Sequence, residues 1–321
     1  MNELDGAHEF RRVVRGILGS APEAAVPGRL LDQGYADFLS HDAHAAIHVL
    51  FDEVGQADSC PPVLDLVAAF ALDLPPGPAP VVGYPDLRDR DSLPPAEQIP
   101  AGIRFTALAF GDPSRADRVL VPARLAGEPA LIHAPCSAVT WSPTGAFAPD
   151  LHLTAALGAA GPLEVLDLAT DRWQRFVTMS QVALAYDLLG LAERISRLTV
   201  AHVCGRNQFG RPLAARQAVK HRMADVTVAI AAARGVLAAG PLSDPLLGRA
   251  GKALAGRAAL LASAQALQLH GATGFSSEYV LHRLVRRVHV LDSLLGSSAW
   301  HKNQLGRLLT AGARVPALVE L

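Results

Sequence analysis

Between residues 171 and 295, apolar side chains recur at helical spacing in four successive stripes. Leu184, Leu188, Leu191, Ile195 and Leu198 alternate steps of four and three, and so do Val219, Met223, Val226, Ile230 and Ala233. Leu247, Leu254, Leu261 and Gln268 repeat every seven, flanked by Ala250, Ala253, Leu260 and Ala264. Leu281, Leu284, Val288, Leu291 and Leu295 make the fourth stripe. Each stripe gives a helix one face to bury, and four such helices bury their faces together in an antiparallel bundle. Abundant alanine favours helix and close packing. Gly205, Gly240 and Gly271 stand at the junctions, where helix-ending glycines occur.

The chain changes character near residue 170. Residues 1–170 hold 10 Lys and Arg against 22 Asp and Glu, and residues 171–321 hold 19 against 8. Nineteen of the 23 prolines precede residue 171. A basic half of this kind faces phosphates, an acidic partner or its own acidic half. The lack of Lys/Arg runs and the few aromatics argue against a nucleic-acid surface. No apolar run is long enough to suggest a membrane helix, and residues 1–9 are unlike a signal peptide. Cys60, Cys136 and Cys204 are too scattered for a disulfide framework or a zinc site. A reducing cytoplasm is the expected setting.

Before residue 171 the expected elements are shorter. Leu4, Phe10, Val13, Val14, Ile17 and Leu18 predict a helix over 3–20. A short helix is expected over Leu30–Ser40. A stronger one opens at His41-Asp42, carries Ala46, Ile47, Leu50, Phe51 and Val54, and ends near Gly55. Pro61-Pro62 starts another. Residues 75–100 read as a proline-rich linker. Short strands are then expected at Ile103–Leu108, Arg118–Pro122 and Ala130–His133, with weaker candidates at Val139–Trp141 and Leu163–Leu166. The division is a helical domain with its linker over 1–98, a small β domain over 99–170 and the bundle over 171–321.

Three stretches of the bundle carry candidate chemistry. At the corner between the first two helices stands Arg206-Asn207-Gln208-Phe209-Gly210, with Gln217 just beyond. Arg206 offers a planar fork of donors suited to a pyrophosphate. Gln208 and Gln217 donate and accept, and Phe209 can pack on a ring. The plainer reading is a solvated loop plugged by Phe209. Next, Gln268-Leu269-His270-Gly271-Ala272-Thr273-Gly274-Phe275 reads as a helix end whose small residues let a ligand approach, or simply as a C-cap. Last, Glu278-Tyr279 and Leu281-His282-Arg283-Leu284-Val285-Arg286-Arg287 put a basic face on the final helix. His282 and His289 lack a third partner, so no metal site is expected.

These three stretches, in this order, resemble the C-terminal domain of the acyl-CoA dehydrogenase family. The resemblance implies a mainly α fold: an N-terminal helical domain, a small middle β domain and a C-terminal antiparallel four-helix bundle. It also implies FAD at a subunit interface, touched from the neighbouring subunit by Arg206, Gln208, Phe209 and Gln217. Gln268, Gly271 and Ala272 correspond to the family's Gln-x-x-Gly-Gly segment, which lines the ADP end of that flavin.

The departures from the family are equally informative. Its catalytic glutamate precedes a Gly-Thr/Ser pair in the last helix, and here Leu295 precedes Gly296-Ser297. The alternative base position, on the first bundle helix, holds Ser180. Neither is a base, so no catalytic residue is assigned to this chain. The family's Thr-Glu-Pro loop is not evident, and Trp141-Ser142-Pro143 is a poor substitute. The pattern resembles the short, base-lacking subunits of heteromeric (α2β2) bacterial acyl-CoA dehydrogenases. It implies a longer partner subunit carrying the glutamate and an acyl-CoA substrate, steroid-derived in many such enzymes. Two other readings stand beside it. One is a self-sufficient homo-oligomer using Asp187, Asp292 or Glu278 as a displaced base. The other is an interaction protein that binds no flavin.

Overall fold

The computed structural model describes residues 3–74, 80–144, 147–161 and 163–312, with side chains from His8 onward. Leu4 of the first expected stripe and residues 75–79 of the expected linker lie outside what is described.

The first five helices are α1 (Glu3–Ser20), α2 (Val26–Asp32), α3 (Tyr35–His41), α4 (Ala43–Gln56) and α5 (Leu64–Ala71). The single short helix expected over 30–40 is two, because Gly34 adopts φ +82° between α2 and α3. Asp42 opens α4 as expected: its carboxylate accepts from the Ala45 N–H at 3.0 Å. On α4, Asp52 and Glu53 are buried with the core residues Ile47, Leu50 and Phe51. Their charges are met by arginines from neighbouring helices: Arg11 at 2.8 Å from Asp52, and Arg15 at 2.8 Å from Glu53.

The proline-rich stretch is more than a linker. It contributes β1 (Val81–Val82), β2 (Tyr84–Pro85) and β3 (Pro95–Ile99) to one ten-stranded sheet. The others are β4 (Gly102–Arg104), β5 (Ala107–Ala109), β6 (Arg118–Leu125), β7 (Glu128–Pro135), β8 (Val139–Pro143), β9 (Thr154–Ala160) and β10 (Glu164–Asp167). Strands β1 and β3 pair parallel to β6, which long prolines-and-turns segments permit and a hairpin does not. Strand β9 was not expected. Its sequence, Thr-Ala-Ala-Leu-Gly-Ala-Ala, lacks β-branched and aromatic residues beyond Thr154, yet it pairs with β4, β5 and β8. The sheet has its own core of Val81, Ile103, Phe105, Val119, Val121 and Ile132.

The bundle is α6 (Thr170–Gly205), α7 (Gln217–Ala239), α8 (Pro245–His270) and α9 (Leu281–Ser293), followed by α10 (Ser298–Thr310). The fourth stripe does not run on one helix: the backbone turns at Leu295 (φ +55°) and Gly296 (φ +96°) and restarts as α10. Helix α6 is buried on all sides from Phe176 to Ala192, so it is the central rod and not an amphipathic flank. Of the α8 heptad only Leu247 is fully in the core, and most of the helix's inner face is built from smaller residues. Leu254 and Leu261 are half-buried and Gln268 is exposed, whereas Gly248, Gly251, Ala255, Gly256, Ala259 and Ala262 are buried. Small residues win that face because neighbours come too close for larger ones. A Cβ on Gly248 would lie 2.8 Å from Gln181 Oε1, and one on Gly256 would overlap the Asp292 carboxylate. Among the described residues no helix is long and apolar enough to cross a membrane.

Candidate functional site

The corner between α6 and α7 is a hairpin, not a plain loop. Strands β11 (Asn207–Gln208) and β12 (Arg211–Pro212) pair antiparallel, with Gln208 opposite Arg211. The two residues between them, Phe209 (φ +56°) and Gly210 (φ +76°), both take positive φ, the signature of a tight I′ turn. Positive φ is uncommon for a bulky residue such as Phe. The Leu213 N–H closes the base of the hairpin on the Arg206 carbonyl at 2.9 Å. Phe209 is 88% exposed, so it is no plug. The Arg216 guanidinium lies 5.2 Å from its ring centre. Burying a Phe side chain is worth about 1.5–3 kcal/mol, and this hairpin holds its Phe where only another molecule can cover it.

The second stretch lies at the same end of the bundle. Helix α6 finishes there, α7 begins there and α8 finishes there. The rings of His202 (α6) and His270 (α8) stack at 4.2 Å, and Arg222 (α7) donates to Gln265 (α8) at 2.6 Å. Gly271 ends α8 with φ +59° and ψ −136°, a backbone open to glycine. Gly274 does not open the backbone to a ligand: it is buried, and a Cβ there would lie 3.0 Å from that of His270. Gln208, Gln217, Gln268, Gly271, Ala272 and Arg206 are all exposed. Gln217 Nε2 lies 2.8 Å from His221 Nε2. A guanidinium, side-chain amides and two exposed aromatics, Phe209 and Phe275, make a donor set that fits a pyrophosphate and its flanking rings.

The basic face expected on α9 is incomplete. Arg283 and Arg286 are exposed, but Arg287 is buried, donating to Asp187 Oδ1 at 2.7 Å and to the Val54 carbonyl at 3.0 Å. Burial pushes the Asp187 carboxyl up, against the pull of Arg287. Beside this pair, Phe51, Phe110, Leu184 and Leu291 leave a cavity of about 20 Å³, room for one water.

Helix α6 touches the turn before α10 through the residue next to Ser180. Gln181, next to Ser180, donates to the Leu295 carbonyl at 3.1 Å, and His301 Nε2 lies 3.0 Å from the same oxygen. Ser180 and Leu295 are both fully buried. Lys252, also fully buried, donates to the carbonyls of Leu291 at 2.7 Å and Asp292 at 2.8 Å. Asp292 accepts from the Ser298 N–H at 3.1 Å and so helps start α10. Asp187 and Asp292 are thus held in structural contacts, and Glu278 is exposed on the loop before α9.

Burial, assisted by the Lys252 ammonium, pushes the His301 imidazole down to about 3 from 6.5. The unfolded chain takes up this proton near 6.5 and the folded chain only near 3. Stability is therefore full above pH 6.5 and falls between those values, by about 1.4 kcal/mol per pH unit at the limit. His301→Gln keeps a donor for Leu295 and removes the titration. Urea unfolding at pH 7 and pH 5 is expected to show a smaller loss in the variant than in the natural chain.

The β domain faces the helices across an open cleft of about 750 Å³, lined by Asp112, Pro113, Trp141, Thr144 and His152. Trp141 donates its Nε1–H to the Cys136 carbonyl at 2.9 Å. Across from it, Gly111-Asp112-Pro113 forms the loop after β5, an acid–proline pair that sequence reading passed over. Its signal was the Asp-Pro dipeptide at a strand end. The side chain of Arg115, one turn on, is tied into a buried ion pair with Asp65.

The sequence pattern of the acyl-CoA dehydrogenase C-terminal domain matches residues 171–310. These residues are similar to an acyl-CoA dehydrogenase C-terminal domain. The acyl-CoA dehydrogenase IpdE2 of Mycobacterium tuberculosis is 41% identical over 117 residues, covering 36% of this chain and 37% of IpdE2. The match thus spans well under half of that relative's length. Among solved structures, the Tcur3481–Tcur3483 steroid ACAD superposes with a TM-score of 0.79 at 22% identity, over 96% of this chain and 99% of that one. The ChsE4–ChsE5 complex of Mycobacterium tuberculosis superposes with a TM-score of 0.74 at 20% identity, over 99% of each chain. The acyl-CoA dehydrogenase fold therefore extends over the whole described chain, with helices first, sheet second and bundle last.

Proposed function

We propose that this chain is the accessory subunit of a heteromeric, FAD-dependent acyl-CoA dehydrogenase in the cytoplasm. The observation that supports this reading is that Ser180 and Leu295, the residues at the family's two glutamate positions, are both fully buried and neither is an acid. The turn at Leu295 is tied to α6 by the Gln181 side chain, and the carboxylate beside that turn, Asp292, is engaged by the Ser298 N–H. A positioned general base contributes about 10²–10⁴-fold to rate, so a partner subunit supplies it. That partner is a longer acyl-CoA dehydrogenase chain, in an α2β2 assembly. The acyl-CoA substrate is steroid-derived, a class suggested by the similarity to the steroid ACAD.

This chain's part is to hold and orient the cofactor. Arg206, Gln208, Phe209 and Gln217 reach out from the corner, and Gln268, Gly271 and Ala272 line the ADP end. A bound FAD would supply hydride-accepting chemistry, with the glutamate of the partner subunit supplying the base. Arg206 forks onto the pyrophosphate and Phe209 is covered at the interface.

Visible absorbance tests the proposal. Purified alone, the chain is expected to be colourless. Co-expressed with a longer acyl-CoA dehydrogenase that keeps the glutamate, it is expected to form a stable yellow complex. A yellow chain that dehydrogenates acyl-CoA unaided overturns the proposal. Within the complex, Arg206→Ala removes charge-assisted bonds worth about 1.5–3 kcal/mol. Flavin retention should drop by about tenfold or more, and unchanged retention would rule out this residue assignment.

A further inference from the structure

The two halves of the nucleotide-binding end come from different helices. Arg206 and the hairpin follow α6, and Gln268 with Gly271-Ala272 closes α8. A ligand gripped by both needs them held in one register. Between them lies the His202–His270 stack, with centroids 4.2 Å apart and planes 24° apart. His202 is one turn before Arg206, and its carbonyl accepts the Arg206 N–H at 2.9 Å. His270 is two residues after Gln268 and immediately before Gly271.

The His270 ring is fixed on both edges. Nδ1 lies 2.8 Å from the Ala266 carbonyl, which only accepts, so Nδ1 carries the proton. Nε2 then accepts from the Tyr279 hydroxyl at 3.2 Å. With only 5% of the residue exposed, His270 is a rigid plate, and His202 lies flat on it. Two aliphatic side chains would fill the same space but would not hold two helix ends at one fixed ring spacing.

We infer that the His202–His270 stack is a positioning pair, keeping the Arg206 corner and the Gln268–Ala272 turn aligned for one nucleotide. The inference rests on the reading that this end of the bundle grips the ADP part of a flavin. Neither ring touches the ligand. His202 acts through Arg206 and His270 through the turn it precedes.

Equilibrium dialysis of ADP against the flavin-stripped complex with the longer subunit tests it, using His202→Leu and His202→Phe in this chain. Leucine keeps apolar bulk without a plane, and phenylalanine restores the plane. An aromatic pair contributes about 0.5–1.5 kcal/mol beyond area burial, so His202→Leu should bind ADP about three- to tenfold more weakly. His202→Phe should return to within about twofold of the natural chain. Tyr279→Phe frees His270 Nε2 and should weaken binding in the same direction, which keeps the test open if the leucine variant unfolds. If leucine binds as well as histidine, or phenylalanine as poorly as leucine, the positioning role is wrong. Arg206→Ala separates this failure from that of the underlying reading. If the complex with the natural chain binds no ADP, or the complex with Arg206→Ala binds it equally well, the reading itself falls and the inference with it.

Discussion

Asp187→Ala should lower stability by about 3–5 kcal/mol in urea unfolding, because it strands the buried guanidinium of Arg287. The pair joins α6 to α9, and Arg287 also reaches the Val54 carbonyl on α4. Three helices thus meet on one charge. A domain of this kind has about 5–15 kcal/mol in total, so the variant would be near its limit at 37 °C. The charge and not the lost volume is responsible, and a second variant separates the two. Asp187→Leu combined with Arg287→Met removes both charges, and replacing a buried pair by apolar residues is often neutral or stabilising. If the double variant is as unstable as Asp187→Ala, packing and not charge explains the loss.

Gly190→Ala should destabilise by about 3 kcal/mol, against what helix propensity alone predicts. In an exposed helix interior the same change stabilises by about 1 kcal/mol. Here α4 and α6 cross backbone to backbone. A Cβ on Gly190 would lie 2.5 Å from the Asp52 carbonyl oxygen and 3.0 Å from the Gly55 Cα. Neither atom belongs to a flexible side chain that can swing away, so the helices must part. Parting them also pulls on Arg234, which bridges α7 to Asp52 at 2.5 Å and to Glu193 at 2.6 Å. A thermal midpoint that rises in Gly190→Ala would show that the crossing is looser than these distances require.

Both predictions rest on contacts whose partners spacing alone does not name. Charged residues on a predicted helix are read as solvent-facing, and Asp52, Glu53, Lys252 and Arg287 all break that rule. Each is buried because another element supplies its counter-charge or its carbonyls, and those partners lie far off in sequence. The heptad of α8 misled for a related reason. Leucine spacing marks an apolar face, but the closest helix crossings choose glycine and alanine. Strand β9 was invisible because its alanines have no strand preference, and only its neighbours on both sides make it a strand.

The candidate site divides in the same way. The corner string, the glutamine turn and the absence of an acid at positions 180 and 295 were all legible as residues in order. Spacing could not say that Phe209 stands 88% exposed on a hairpin, because the same letters suit a plugged loop. Nor could it show that Gln181 reaches the Leu295 carbonyl, since that depends on how α6 passes the turn before α10.

The sequence by itself determined the sequence of architectures, helices then strands then a bundle, because periodicity is a local property of the chain. It also determined which chemical groups are present, with Leu295 and Ser180 at the two positions where the resemblance would place a glutamate. Only the tertiary structure decided which charges are buried, which glycines are irreplaceable and which distant residues share a site. Those outcomes depend on distances between segments that no local preference encodes. A buried ion pair or a helix crossing exists only once the two partners have been brought together.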